Sequence, residues 1–193
     1  MATKPGERKL QILQTVAQML EQPKGEKITT AALAARLGLS EAALYRHFAS
    51  KAQMFEGLIE FIEQTVFSLI NKITQEEKGG MRQADCIMSM LLGFAQKNRG
   101  MTRVLIGDAL VNEDERLQQR INQLLDRIEA TLKQSLRMAV TQGEVGEMDV
   151  SAQANVLVCY VIGRWQQFAK SGFSRDPTAQ WMAQSAILLS PKN

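Results

Sequence analysis

The interval between Pro23 and Pro177 contains no proline, and this absence constrains the fold of the 193-residue chain more than any other feature. Proline inside a helix removes a hydrogen bond and clashes with the preceding turn, so a proline-free interval permits long helices. Apolar residues recur every three or four positions through most of it, most clearly over 51–77 and 113–141, and no strand-period run of useful length occurs. We therefore predict an all-α fold with about nine helices.

The other helices are predicted where the same periodicity meets start and stop signals. They cover residues 7–21, two short segments within 28–48, and residues 82–98, 102–110, 150–170 and about 176–189. The last of them is expected to open at Asp176 and Pro177, because aspartate caps helices and proline suits the first turn.

Charge is distributed unevenly along the chain. The formal net charge is +3, but residues 1–55 carry eight Lys and Arg residues against four Glu residues, which gives +4, and the remainder carries −1. A basic N-terminal quarter on a nearly neutral remainder favours binding to a polyanion.

Several function classes have no support in the sequence. The single histidine is His47, there is no phosphate-binding glycine loop or GxSxG motif, and the carboxylates at 113–115 stand at a helix start, where they favour the dipole. No apolar run is long enough to span a bilayer. Cys86 and Cys159 lack CxxC spacing and lie in apolar runs, which predicts two buried, reduced thiols. We expect no enzyme activity, metal or cofactor, and a cytoplasmic location.

Residues 28–48 contain the most specific pattern. Two short helical segments, AALAARLG and EAALYRHF, are joined at Gly38, which suits a left-handed backbone. Thr29 or Thr30 is expected to cap the first helix, and Ser40 the second. This arrangement predicts a DNA-binding helix-turn-helix, while the alternative is a plain α-hairpin whose alanines form its core. The agreement of turn, caps, small residues and basic excess favours DNA binding.

The second of these helices would enter the major groove with its N-terminal end leading. Residues near that end would meet base edges: Ser40, Glu41, Ala42 and Ala43. Phosphate contacts, which fix register without reading sequence, are predicted for Thr29, Thr30, Tyr45, Arg46, His47 and Lys51.

The segment ITTAALAARLGLSEAALYRHFASK resembles the DNA-binding head of TetR-family regulators, in which a helix-turn-helix precedes the pattern Tyr-x-His/Tyr-Phe-x-x-Lys. Tyr45, His47, Phe48 and Lys51 fit that pattern. Segments outside the head are similar to one branch of this family, the nucleoid-occlusion factors of proteobacteria. They are LIEFIE at 58–63, LLGFAQKNRGMTRVL at 91–105 and RLQQRINQLLDRIEA at 116–130.

This resemblance, which covers about residues 7–181, implies a specific function. Such proteins are homodimers on palindromic double-stranded DNA sites in the nucleoid, and they bind the C-terminal tail of the tubulin-like GTPase FtsZ. The DNA-bound protein antagonises FtsZ-ring assembly and so blocks division over the nucleoid. The partner groove lies between the fourth and fifth helices, which carries over to Phe61, Met90, Gly93, Lys97 and Asn98. The alternative is that the apolar positions here are core and Lys97 is a solvated helix end.

The resemblance also implies two domains, residues 1–52 for DNA binding and 53–193 for dimerisation and partner binding. TetR-like dimers pack two C-terminal helices from each subunit as a four-helix bundle. Candidate interface residues are Val158, Val161, Trp165 and Trp181. The alternative for the two tryptophans is that they fill the subunit's own core.

The sequence departs from this branch at two places, since the basic arm has only Lys4, Arg8 and Lys9, and Leu69 stands where a cation is expected on the partner face.

The alternative function is a ligand-responsive TetR-family repressor with a cavity of converging polar groups. The residues available for it are Arg103, Asp108, Arg164 and Gln166. The resemblance to nucleoid-occlusion factors implies that no small-molecule ligand is required.

Overall fold

A computed structural model describes residues 5–22 and 28–189. These ranges contain nine α-helices, one short 3-10 helix (η1) and no β-strand, which confirms the all-α prediction. The helices are α1 (Pro5–Leu20), α2 (Thr30–Leu37), α3 (Glu41–Tyr45), α4 (Lys51–Glu76), α5 (Gly80–Lys97), α6 (Arg99–Leu105), η1 (Asp108–Leu110), α7 (Glu115–Thr141), α8 (Val150–Lys170) and α9 (Trp181–Leu188). None of the helices described is long and apolar enough to cross a membrane.

The chain divides into two compact units. The first unit comprises the residues up to Ile62 together with Asn98–Ile121, and the second comprises Glu63–Lys97 together with the residues from Asn122 onwards. The predicted domain boundary after residue 52 falls within the first turn of α4. Residues 98–121, which include α6 and η1, thus belong with the helix-turn-helix although they are distant from it in sequence.

Close packing of α6 on α1 explains why these distant segments share one unit. A Cβ atom at Gly100 would lie 1.9 Å from the Ala17 carbonyl oxygen, so only glycine allows this approach. The core of the first unit includes Ile12, Val16, Leu33, Leu44, Phe48, Phe55, Leu58, Val104 and Leu117.

The second unit has its own core, in which α5 packs against α8. Gly80 lies so close to α7 that a Cβ atom there would be 2.3 Å from the backbone of Ala139. The Gln83 side chain donates to the carbonyls of Thr74 and Glu77, and it accepts from the Ser135 hydroxyl. These bonds satisfy carbonyl groups at the end of α4 that have no partner within the helix.

The predicted helix over 102–110 is wrong as a single element. The structure has α6, then Gly107 with a φ of 77°, then η1. A positive φ ends a right-handed helix, and a side chain at this position would also meet the Gln118 amide oxygen at 2.5 Å. The glycine separates two short helical turns.

The last helix begins at Trp181, later than predicted. The Asp176 carboxylate accepts hydrogen bonds from the Thr178 N–H at 2.8 Å and from its hydroxyl at 2.7 Å, which closes a turn instead of starting a helix. The hydroxyl bond holds the pKa of Asp176 below its ordinary value. The Arg164 side chain donates to the carbonyls of Asp176, Pro177 and Ala179.

The prediction of two buried thiols is also wrong. Cys159 is exposed and Cys86 is half-buried, with its sulfur 3.8 Å from a Glu77 carboxylate oxygen. Burial raises the pKa of the Cys86 thiol above its ordinary value. Cys159 is exposed because it lies on the face of α8 opposite the buried Leu157, Val161 and Trp165.

Candidate nucleic-acid interface and partner surfaces

The turn between α2 and α3 has the geometry that the sequence predicts. Gly38 has a φ of 65°, and its N–H bonds to the Ala35 carbonyl while the Leu39 N–H bonds to that of Ala34. No atom lies within 4 Å of a Cβ placed at Gly38, so glycine is required by backbone conformation and not by space.

Side-chain caps fix the starts of both helices. The Thr29 hydroxyl accepts from the Ala32 N–H and the Ser40 hydroxyl from the Ala43 N–H, each at 3.1 Å. Thr29 and not Thr30 is therefore the cap of α2. The Thr30 hydroxyl instead donates to the Glu41 carboxylate at 2.7 Å, which ties α2 to α3.

One side of α3 is buried and the other is open to solvent. Leu44 and Phe48 anchor the segment in the core of the first unit. Tyr45 exposes 45% of its surface, and its hydroxyl lies 3.5 Å from the Thr30 hydroxyl. The predicted DNA-contacting residues are otherwise exposed (Thr29, Ser40, Glu41, Ala42 and Arg46) or half-buried (Thr30, Ala43, His47 and Lys51).

Lys51 differs from the other predicted phosphate contacts because its ammonium group already has an anionic partner. It forms an ion pair with the carboxylate of Glu113, and it lies 5.7 Å from the ring centre of Phe55. Glu113 lies two residues before the first residue of α7, as the sequence predicts, and its carboxylate is in addition engaged by Lys51. The sequence carries no signal for this pair, since its members are 62 residues apart.

The basic arm before the helix-turn-helix is partly engaged within the chain. The Arg8 guanidinium donates to the Gln11 amide oxygen at 2.7 Å, and the Lys9 ammonium lies 5.7 Å from the ring centre of Phe48. Lys4 lies outside the described residues.

Three of the predicted partner residues share the outer face of α5. Met90 and Gly93 are half-buried and Lys97 is exposed, with spacings of three and four residues that place them on one helix face. No atom lies within 4 Å of a Cβ placed at Gly93, so this face is open there. The neighbouring Leu91, Leu92 and Phe94 are buried, as their periodicity indicates.

The two other predicted partner residues belong to the first unit. Phe61 is half-buried on α4, and Asn98 is the half-buried residue before α6, whose carbonyl accepts from the Thr102 N–H at 2.9 Å. Leu69, also on α4 but in the second unit, exposes 39% of its surface.

Sequence reasoning missed the residue that caps α5. The Glu144 carboxylate, in the loop after α7, accepts from the N–H groups of Gly80 at 2.9 Å and Met81 at 2.8 Å. It satisfies two helix N-terminal donors and places a negative charge at the positive end of the helix dipole. No local pattern could reveal it, because a segment of more than 60 residues separates the partners.

The four predicted dimer-interface residues lie in the core of their own subunit. Val158, Val161, Trp165 and Trp181 each expose 6% or less of their surface. The Trp165 indole N–H donates to the Leu91 carbonyl at 3.1 Å, and that of Trp181 to the Asp85 carboxylate at 3.2 Å. Both tryptophans find a packing site and a hydrogen-bond acceptor within the chain, which favours the alternative that they fill the subunit's own core.

The opposite sides of α8 and α9 expose apolar side chains. Val156, Met182 and Ile187 expose 48%, 87% and 77% of their surfaces. We call this surface the outward apolar face, and its exposed members are Ala152, Val156, Cys159, Gly163, Met182, Ala183, Ala186 and Ile187. None of these eight residues has a charged side chain, and the exposed cation of Lys170 follows on the same side of α8 at its last residue.

A cavity of about 380 Å³ lies in the first unit. It is lined by charged and apolar residues from α1, α4, α6 and the turn after η1, including Lys51, Phe55, Arg103, Asp108 and Glu113. Arg103 and Asp108, two of the four polar residues available for a ligand site, form an ion pair there at 3.5 Å. Arg164 and Gln166 belong to the second unit and do not line this cavity.

Comparisons with known proteins agree with this geometry at both ends of the chain. Residues 17–58 match the family model described as bacterial regulatory proteins, tetR family, and residues 78–191 match the SlmA-like model described as Tetracyclin repressor-like, C-terminal domain. A solved TetR-family regulator, PfmR from Thermus thermophilus, superposes with a TM-score of 0.76, covers 100% of this chain and 99% of its own, and shares 20% identity, which shows the fold.

Two curated relatives are similar over nearly the whole chain. The nucleoid occlusion factor SlmA of Alteromonas mediterranea is 52% identical, with 96% of this chain and 95% of the relative aligned. That of a Marinomonas species is 49% identical, with 97% and 96% aligned. The helix-turn-helix, the all-α fold and this full-length similarity agree, and the chain belongs to the SlmA family of nucleoid occlusion factors, which carry a TetR-type DNA-binding head.

Proposed function

We propose that this protein binds palindromic sites in chromosomal DNA as a homodimer and, when bound, antagonises FtsZ-ring assembly, so that division is blocked over the nucleoid. The observation that carries the proposal is the full-length similarity, at about half of all positions, to nucleoid occlusion factors. Its place of action is the nucleoid, where the DNA is.

DNA binding is assigned to the exposed side of α3 and to the ends of the neighbouring helices. Ala42 and Ala43 offer methyl groups for contact with thymine, and the Glu41 carboxylate is an acceptor suited to the cytosine amino group. Tyr45 and Arg46 present a hydroxyl and a guanidinium for phosphates. The same role is proposed for Thr29, Thr30, His47 and Lys51.

Dimerisation is assigned to the outward apolar face. A palindromic site requires a two-fold symmetric reader, and an uncharged apolar surface can pack against a second copy of itself without burying unpaired charge. Met182 and Ile187 are the two most exposed large apolar side chains among the residues that the structure describes. Exposed apolar patches mark interaction sites, and the absence of charge on this one favours a second copy of the chain as its partner.

Binding of the FtsZ tail is assigned to the outer face of α5, which carries Met90, Gly93 and Lys97. The family resemblance assigns Phe61 and Asn98 to the same partner. Met90 supplies an adaptable apolar contact, the open position at Gly93 allows a peptide backbone to approach, and Lys97 supplies a cation. These features suit an extended peptide with an aliphatic anchor and an acidic residue.

A titration with a fluorescent peptide of the FtsZ C-terminal tail, with and without a palindromic duplex, tests the proposal. We expect saturable binding by the wild-type protein, and its loss in Lys97→Glu with unchanged affinity for DNA. Arg137→Glu, a reversal at an exposed cation on α7, is the matched control and should bind the peptide normally. Unchanged peptide binding in Lys97→Glu would refute the α5 assignment.

The ligand-responsive repressor remains the second candidate because a cavity lined by Lys51 and Arg103 exists in the first unit. A small molecule there would have to compete with the ion pairs that Lys51 and Arg103 already form. If the FtsZ peptide fails to bind at any DNA concentration while a metabolite extract weakens duplex binding, the second candidate replaces the first.

A further inference from the structure

The contact between Lys51 and Glu113 joins the predicted DNA-binding surface to the start of α7. The ammonium and the carboxylate are in direct contact, and 24% and 16% of the two side chains are exposed. Ion pairs that are partly removed from solvent are screened less by salt than fully exposed pairs. The Lys51 ammonium group therefore has an anionic partner within the chain before DNA binds.

The start of α7, just after Glu113, is held on α4. The Arg116 guanidinium lies 3.0 Å from the Glu56 carboxylate, and the Arg120 guanidinium donates to the Glu56 carbonyl at 3.4 Å. Both contacts hold the first turns of α7 against α4. Arg103, the other cation that lines the same cavity, is paired with Asp108.

A carboxylate and a phosphate compete for the same ammonium group, because both are anionic acceptors of its three N–H donors. We propose that Glu113 is an intramolecular competitor of DNA for Lys51 and thereby sets the affinity and the salt dependence of the DNA-binding surface. The inference rests on the phosphate role of Lys51 under the proposed function, and Glu113 acts through Lys51 without touching DNA.

The competition has a consequence for salt dependence. A lysine that meets a phosphate releases about one counterion from DNA, which steepens the dependence of log K on log salt by about 0.9. When Lys51 leaves Glu113, the freed carboxylate takes up a cation and offsets that release. Removing the carboxylate should therefore tighten binding and steepen the salt dependence together.

The test compares Glu113→Gln, Lys51→Gln and the double variant in fluorescence-anisotropy titrations of a palindromic duplex at several KCl concentrations. We expect Glu113→Gln to bind about two- to fivefold more tightly per DNA-binding surface, the range for exposed and partly exposed ion pairs, with the slope steeper by about 0.9 per surface. The gain should disappear in the Lys51→Gln background. Glu113→Asp, which keeps the charge but shortens the side chain, should give a smaller gain.

Glu115→Gln is the matched control, because it removes the same charge two residues away at an exposed position. An equal gain in Glu115→Gln and Glu113→Gln would overturn the inference, since the effect would then come from net charge alone. Weaker binding by Glu113→Gln would also overturn it, because Glu113 would then position Lys51 for the phosphate. If Lys51→Gln binds DNA like the wild type, the phosphate role itself fails, a result separable from a failure of Glu113 alone. Circular dichroism of each variant verifies the fold.

Discussion

The helix-turn-helix and the C-terminal pair α8–α9 are stabilised and exposed in opposite ways. In the helix-turn-helix the caps at Thr29 and Ser40 act over three residues, and the solvent side is polar or small. In the C-terminal pair, Trp165 and Trp181 bond to acceptors 74 and 96 residues away, and the solvent side is apolar. A polar surface is well solvated when no DNA is bound, whereas an exposed apolar face favours a permanent partner.

Of the changes considered, charge placed on the outward apolar face should have the largest effect. We expect Met182→Glu combined with Ile187→Glu to abolish the dimer, because two carboxylates would have to be buried against their symmetry copies. Affinity for a palindromic duplex should then fall by about 10²- to 10⁴-fold, since the two DNA-binding surfaces no longer share an effective concentration. Sedimentation velocity and duplex titration measure both effects.

Gln134→Glu, which adds the same charge at an exposed position of α7, serves as the control for the double variant and should remain a dimer. A dimer that survives both substitutions would mean that a different surface joins the subunits, and α8–α9 would need another explanation for its exposed apolar side.

Substitutions on the buried side of α8 and α9 should lower the stability of the subunit instead of breaking the dimer. Trp165→Ala removes a side chain that is 1% exposed, and the expected loss is about 3–5 kcal/mol in the free energy of unfolding. Trp165→Phe, which keeps most of the packing but loses the bond to the Leu91 carbonyl, should lose less. Urea unfolding followed by circular dichroism measures the loss. If Trp165→Ala instead yields folded monomers of unchanged subunit stability, the tryptophan belongs to the interface.

The turn between α2 and α3 should be sensitive to substitution because of its backbone conformation. Gly38→Ala places a side chain at a φ of 65°, which costs about 1–2 kcal/mol in the folded state. Gly143→Ala is the matched control, because Gly143 also has a positive φ (72°) and open space at its Cβ position. Both variants should lose similar stability in thermal melts, but only Gly38→Ala should weaken DNA binding. Equal DNA affinities of the two variants would show that DNA recognition does not depend on the conformation of this turn.

The same contrast explains what could be predicted from sequence. Caps such as Ser40, the left-handed glycine and the apolar periodicity of α4 are local, so the helix-turn-helix and most helix bounds follow from residue order. The ion pair of Lys51 with Glu113 and the cap of α5 by Glu144 depend on long-range packing. In α8 apolar residues occupy both sides of the helix, so periodicity alone cannot say which side meets the subunit's own core. The enrichment of aromatic residues at interfaces made Trp165 a candidate interface residue, but it could not distinguish that role from a place in the core.

Labelling of the two thiols perturbs the fold least, and it tests whether the outward apolar face is covered in the dimer. Cys159 lies on the outward apolar face, so a maleimide should react with it slowly in the dimer and rapidly in the monomeric Met182→Glu, Ile187→Glu variant. Cys86 should react slowly in both, because burial raises its pKa and keeps the thiol protonated near neutral pH, and its rate should increase only as pH rises toward that elevated pKa. Mass spectrometry of peptides from each time point distinguishes the two sites. Rapid labelling of Cys159 in the wild-type dimer would show that α8 faces solvent in the assembled protein, and the apolar side of the C-terminal pair would no longer account for dimerisation.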